Sequence, residues 1–271
     1  MTDDTVKYIY LNYGIVFDCD GTRKSAFLYK NLLFQLCFCY NNYMIKRILM
    51  DLDETIFDFK ACERQALTAT LANFDITVSD EDIRDYSRIN DQMWKLLEKG
   101  EITREELKVR RFFLFLTRYP DPPSADAFAE GYMAALSSTS ALIDGAWALL
   151  KELSKKYDLY AVTNGYVRTQ KGRIAASGIG VFFKEIFISE SVGVSKPKRG
   201  FFEYCAARIP DFSLKDSVLF GDSPTSDIAG GNAFGLFTIR YNPHGAPNPP
   251  DAVPNREIRS LSELPALLAT L

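Results

Sequence analysis

The chain has 271 residues, 47% hydrophobic and 25% charged, and its 32 Lys and Arg against 35 Asp and Glu give a formal charge of −3. Such a chain buries a sizeable core, lacks the basic field of a nucleic-acid binder, and contains no run near the ~18 apolar residues of a spanning helix. Its five cysteines are odd in number without metal-ligand spacing, and His244 is its single histidine. A reducing cytoplasm is therefore expected, and zinc or Ser-His-Asp chemistry lacks its usual parts. What remains is carboxylate chemistry.

Residues 1–43 read differently from the rest. The stretch 26–43 (AFLYKNLLFQLCFCYNNY) is aromatic, Asn-rich and acid-free, with no clean helical or strand period. Its apolar part begins too late for a signal peptide, and no small-residue cleavage pattern follows. The preferred reading is an N-terminal extension outside the fold, with Met44 as the expected start. A membrane-associated arm is the alternative.

From Ile45 short apolar runs alternate with helical periods. Runs of strand type fall at 45–50, 159–163, 185–189, 217–220 and 236–241. Leu142, Ala146, Leu149, Leu150 and Leu153 share one helical face, as do Phe202, Cys205, Ala206 and Ile209. This alternation predicts an α/β fold, a Rossmann-like parallel sheet covered on both faces. Segment 60–139 breaks the rhythm with amphipathic helices and a loop at 119–124 (YPDPPS). It reads as an all-helical cap domain inserted into a core of 44–59 and 140–271. Linkers near Phe59 and Thr139 are its expected hinges. The Pro-rich segment after Tyr241 reads as a surface loop, and the last residues as a short helix.

Each strand ends in polar residues: Asp51-Leu52-Asp53-Glu54-Thr55, Thr163-Asn164-Gly165, Ser195-Lys196-Pro197 after a loop, and Gly221-Asp222 running on to Asp227. A parallel sheet brings such ends to one edge, where ligands bind. The four sets together offer acids for a divalent cation, a hydroxyl and amides for an anion, and one ammonium.

In this order the motifs resemble the haloacid dehalogenase superfamily of phosphohydrolases from Met44 to the C-terminus. ISESVGVSKP (188–197) and GDSPTSDIAGG (221–231) look most like its pyrimidine 5′-nucleotidases. The resemblance implies Mg²⁺-dependent phosphomonoester hydrolysis, with Asp51 as nucleophile forming an aspartyl-phosphate and Asp53 as general acid and base. It also implies that Asp51, the Asp53 carbonyl and Asp222 hold Mg²⁺, with Asp227 in an outer position. Thr163, Asn164 and Lys196 would bind the phosphoryl oxygens. The dehalogenases lack a carboxylate at the position of Asp53, so its presence favours phosphate chemistry; Glu54 receives no role. The partner expected is a small phosphomonoester, with no nucleic-acid polymer and no membrane, and the oligomeric state stays open. A phosphatase for a sugar, sialic-acid or short acid phosphate, a phosphomutase, and a non-catalytic binding protein remain as alternatives.

A rival first motif, Asp18-Cys19-Asp20-Gly21-Thr22, matches the same pattern but is not followed by a convincing helical segment. His244 reads as a bystander, and Cys62 and Cys205 as small core residues. Trp94 and the pair Phe112-Phe113 read as core of the inserted helices, the alternative being that one stacks on a substrate base. Arg104, Lys108, Arg110 and Arg111 read as a solvated basic helix face.

Overall fold

The computed structural model describes Val16–Phe17, Arg23–Lys24 and every residue from Met44 onward. The two short strands pair antiparallel, Val16 opposite Lys24, and belong to a unit, Met1–Met44, distinct from that of Ile45–Leu271. The rival motif at 18–22 and the stretch 26–43 lie outside the described residues.

Within the larger unit, β1 (Arg47–Met50) is buried along its whole length. Ile48 and Met50 point to one face and Leu49 to the other, as the two-residue period of a strand dictates. Both faces must therefore be covered, and β1 lies at the centre. The strands β2 (Asp158–Thr163), β3 (Phe183–Ile188), β4 (Ser217–Gly221), β5 (Phe237–Tyr241) and β6 (Arg256–Ile258) form with it a six-stranded sheet in the order β3-β2-β1-β4-β5-β6. All pairings are parallel. β6, three residues at an edge, has no counterpart among the strands read from the sequence.

On the Ile48–Met50 face pack Leu149, Leu150 and Leu153 of α5 (Ala146–Leu153) and Leu264 and Leu268 of α10 (Leu264–Leu268). Leu142 does not belong to α5 as its spacing suggested. That helix begins after Gly145, in the left-handed region at φ +81°, and Leu142 instead bridges to Phe57. On the Leu49 face pack Phe201, Phe202 and Cys205 of α8 (Arg199–Ala206). α6 (Val167–Ser177) follows β2, the one-turn α7 (Ser189–Val192) follows β3, and a π-helical turn (Pro224–Ala229) leading into α9 (Gly230–Phe234) follows β4.

Between β1 and β2 the chain makes four helices: α1 (Phe59–Ala72), α2 (Asp80–Lys99), α3 (Arg104–Leu116) and α4 (Ala125–Ser137). Their boundaries follow local chemistry. Ser79 with Asp82 and Thr103 with Glu106 form capping boxes, and Gly100 ends α2 in the left-handed region. These helices share an apolar core that includes Leu67, Phe112, Phe115, Phe128 and Tyr132. Tyr86 stacks on Phe112 at 5.4 Å.

Two expectations fail here. Phe113 is not core but 61% exposed. Arg111 is not on a solvated face: it is buried, donates to Asn90 Oδ1 at 2.7 Å, and lies over the Phe112 ring at 4.6 Å. The basic run on α3 thus divides between the two sides of the helix. Among the described residues no helix is long and apolar enough to cross a membrane.

Candidate active site

The hydrogen bonds of β1 continue past its last residue, for the Asp51 N–H donates to the Phe220 carbonyl at 2.9 Å. This fixes the Asp51 side chain at the carboxyl edge of the sheet, beside the ends of β2 and β4. The backbone then turns through Glu54, held at φ +59°, and the Glu54 carboxylate accepts from the Lys60 N–H at 2.9 Å at the start of α1. Glu54 therefore shapes the exit from the sheet.

Lys196 lies at the centre of the site and is only 1% exposed. Its ammonium donates to Asp51 Oδ1 at 2.5 Å, Asp227 Oδ1 at 2.7 Å and the Val162 carbonyl at 2.7 Å, using all three of its protons. Burial opposes the charge, but the Asp227 and Asp51 carboxylates outweigh it and raise the lysine pKa. The lysine is a fixed cation. Its main chain is held by Asn164, whose Nδ2 donates to the Lys196 carbonyl at 2.9 Å and whose Oδ1 accepts from the Lys196 N–H at 3.0 Å.

Asp227 reaches back from the π-helical turn over Gly221. A Cβ on Gly221 would come within 2.4 Å of Asp227 Oδ2, so only glycine leaves room for that carboxylate. Both Asp227 oxygens already accept hydrogen bonds, Oδ1 from Lys196 and Oδ2 from the Ser223 N–H at 3.1 Å. Ser223 caps the turn, its side chain accepting from the Ser226 N–H. Thr55, fully buried, donates toward Asp222 Oδ1 at 3.2 Å and lies 3.4 Å from Asp51 Oδ2.

Carboxylate oxygens of Asp51, Asp222 and Asp227 lie within 4.8 Å of one another. Burial pushes the Asp51 carboxyl up to about 7, with Lys196 pulling it down and Asp227 and Asp53 adding to the rise. Burial, then the charges of Asp51 and Asp227, carries Asp222 well above the usual carboxylate range. Three acids, Asp51 and Asp227 buried and Asp222 half-buried, crowd one ammonium, and their ionised forms carry an excess of negative charge. The donor set is all oxygen and fits a hard divalent cation, which relieves that excess.

The side chain of Asp53 points elsewhere. Its Oδ2 accepts from Gln170 Nε2 at 2.7 Å and its Oδ1 from Arg173 Nη1. Gln170 Nε2 also donates to Thr163 Oγ1 at 2.7 Å. A small cavity of about 30 Å³ beside Asp53 is lined by residues that include Trp94, Arg111, Tyr166 and Arg173.

The sheet therefore brings together every site residue read from the sequence: Asp51, Asp53, Thr163, Asn164, Lys196, Asp222 and Asp227. Sequence reasoning missed Thr55, although it completes the first motif, and it missed Gln170 and Arg173. It also misplaced Arg104, which leaves α3 to donate to the Asn164 carbonyl at 3.0 Å and Ser189 Oγ at 2.8 Å. Trp94 is partly buried between these parts, 6.0 Å from the Tyr166 ring, and lines the cavity as well as packing on the helices. His244 is exposed, and Cys62 and Cys205 are buried.

The haloacid dehalogenase-like hydrolase family profile matches residues 45–235. The HAD-hydrolase YfnB of Bacillus subtilis is 39% identical over 219 residues, 81% of this chain and 93% of that protein. The pyrimidine 5′-nucleotidase PynA of Streptococcus pneumoniae is 37% identical over 220 residues, 81% of this chain and 93% of its own. The crystal structure of YfnB bound to magnesium superposes with a TM-score of 0.79, covering 83% of this chain and 98% of that one. The chain belongs to the haloacid dehalogenase-like hydrolases.

Proposed function

We propose that this chain is a Mg²⁺-dependent phosphomonoesterase whose substrates are pyrimidine nucleoside 5′-monophosphates, hydrolysed through an aspartyl-phosphate at Asp51. The observation that carries the reaction is the Lys196 ammonium fixed between Asp51 and Asp227 at 2.5 and 2.7 Å, at a sheet edge that also presents Thr163 and Asp53. Nucleotide specificity draws on the likeness to PynA.

Asp51, Asp222 and the backbone carbonyl of Asp53 would hold Mg²⁺, with Asp227 behind them. Bound there, the ion supplies the charge that lets a carboxylate approach a phosphate dianion. Asp51 attacks phosphorus while Thr163 donates to one equatorial oxygen and Lys196, turning the proton now on Asp51 toward the phosphoryl group, donates to another. The P–O bond breaks, its electron pair stays on the departing oxygen, and Asp53 protonates that oxygen. Asp53 then takes a proton from the water that opens the acyl phosphate, so one residue serves both steps. Helices α1–α4 act as a cap that opens for substrate and closes to exclude water. Interdomain movement is known in the relative YfnB, from its magnesium-bound crystal form.

A second reading follows from the cavity. At about 30 Å³ it admits no more than a water or two, so any phosphoester requires opening, and a short acid phosphate requires less of it than a nucleoside. A phosphate-release screen with Mg²⁺ across nucleoside monophosphates, sugar phosphates and short acid phosphates decides between them. UMP or CMP ranking first supports the nucleotidase, and both ranking below the acid phosphates retires it.

A further inference from the structure

We infer that Gln170 and Arg173 are positioning residues for Asp53, locking the leaving-group acid to the phosphate cradle so that the two are placed as one unit. The inference rests on the phosphomonoesterase reading above and assigns a role to two side chains outside the four motifs.

Both residues lie on α6, the helix that begins three residues after Asn164, and their i, i+3 spacing sets them on the same face. Each is 1% exposed. Arg173 Nη1 donates to Asp53 Oδ1 and, at 3.2 Å, to Gln170 Oε1. The two protons of Gln170 Nε2 are divided between Asp53 Oδ2 and Thr163 Oγ1, both at 2.7 Å. The Asp53 carboxylate is thus held at both oxygens and its plane is fixed, while the same amide grips the hydroxyl that receives a phosphoryl oxygen. Each carboxylate oxygen keeps a second lone pair, on which the proton for the leaving group is carried.

The surroundings restrict this arrangement further. The Arg173 guanidinium lies 4.1 Å over the Phe57 ring and 5.5 Å from that of Phe59. Among the described residues its Nε and Nη2 have no hydrogen-bond partner, and the Cys62 thiol beside it is a weak acceptor. Unpartnered buried donors are costly, and an apolar residue would fill this position more favourably if packing were its whole purpose. The strong contacts it does make go to Asp53 and to Gln170. Room for Gln170 comes from Gly165, where a Cβ would sit 2.5 Å from Nε2. The local backbone is thus shaped to admit this side chain.

General acid catalysis matters in proportion to how badly the leaving group needs a proton. The test compares kcat/KM for a nucleoside 5′-monophosphate, whose alkoxide needs one, with that for 2,4-dinitrophenyl phosphate, whose phenolate does not. Wild type, Gln170→Leu, Arg173→Met and the milder Arg173→Lys are assayed with Mg²⁺, with thermal unfolding to verify folding. In Arg173→Met kcat/KM for the alkyl ester should fall about 100-fold, at the lower end of acid–base effects, while the aryl ester changes less than about threefold. Gln170→Leu, which also frees Thr163, should lose on both esters but about tenfold more on the alkyl one. Arg173→Lys should show the same selectivity with a smaller loss, and it serves in place of Arg173→Met if that variant does not fold. Equal losses on both esters mean a merely structural role and overturn the inference, as does no loss on either. Failure of wild type to hydrolyse either ester sinks the phosphomonoesterase reading, and the inference with it.

Discussion

The side-chain amide of Asn164 and the main chain of Lys196 exchange two hydrogen bonds across 32 residues of sequence, one in each direction. The end of β2 thereby carries the loop that presents the ammonium to Asp51. Asn164→Ala removes both bonds and lets that loop drift. We expect kcat for phosphate release to fall about tenfold, equivalent to about 1.4 kcal/mol. Unchanged turnover in steady-state assays counts against this positioning.

Removal of the metal tests the acid cluster. Phosphate release should stop in chelator and return with Mg²⁺. At a Mg²⁺ concentration about 100 times its Kd, folding stability should rise by about 2.7 kcal/mol. Asp222→Asn keeps the Thr55 contact at Oδ1 but removes a charge, so it should lose most of the Mg²⁺-induced shift in Tm. A full shift in that variant places the cation elsewhere.

Glu63 carries a pH dependence of stability. It is buried, and its Oε1 accepts from Asn90 at 2.9 Å. Burial, opposed by Lys60, raises its pKa above 4.5. The folded chain therefore holds this proton more tightly than the unfolded chain does. The group's contribution is fully present below 4.5 and is lost as pH rises through the raised value. Glu63→Gln keeps the acceptor for Asn90 and does not titrate. In urea denaturation with Mg²⁺, wild type should lose stability relative to Glu63→Gln as pH rises over that interval. Parallel curves exclude the effect.

Arg104 latches α3 to two strand-end loops. Its guanidinium lies 5.3 Å from the Tyr166 ring, and the Tyr166 hydroxyl donates back to the Arg104 carbonyl at 3.1 Å. Arg104→Ala should free the cap, seen as faster amide exchange in the first turn of α3 and about a tenfold fall in kcat/KM. Hydrogen bonds to a charged group are worth about 1.5–3 kcal/mol, enough for a change of that size. An unchanged exchange rate leaves the latch without support.

Asp51→Asn should reduce turnover to background, whereas Asp18→Asn and a chain begun at Met44 should retain it. Retained turnover in Asp51→Asn would overturn the choice between the two first motifs.

Five of the six strands were legible as apolar runs, and the four polar motifs that follow such runs converge in space as their order implies; the edge strand Arg256–Ile258 is too short to show an apolar run. Gln170 and Arg173 were not legible. Their partner Asp53 lies 117 and 120 residues away, and nothing local marks either side chain as buried. Arg111 misled for a related reason: its charge is accommodated by Asn90, 21 residues distant on α2. Residue type predicts exposure for a lone arginine, and only tertiary partners reverse that.

The chain leaves the sheet and returns to it along adjacent paths. The Asp58 N–H donates to the Ala141 carbonyl at 3.1 Å, and the Ile143 N–H to the Ile56 carbonyl at 2.9 Å. These two rungs pin the exit and the re-entry together, so the strands experience everything between them as a loop whose ends already meet. Its length and internal architecture are thus uncoupled from strand register, and a foreign insert grafted at the same rungs would inherit an intact scaffold.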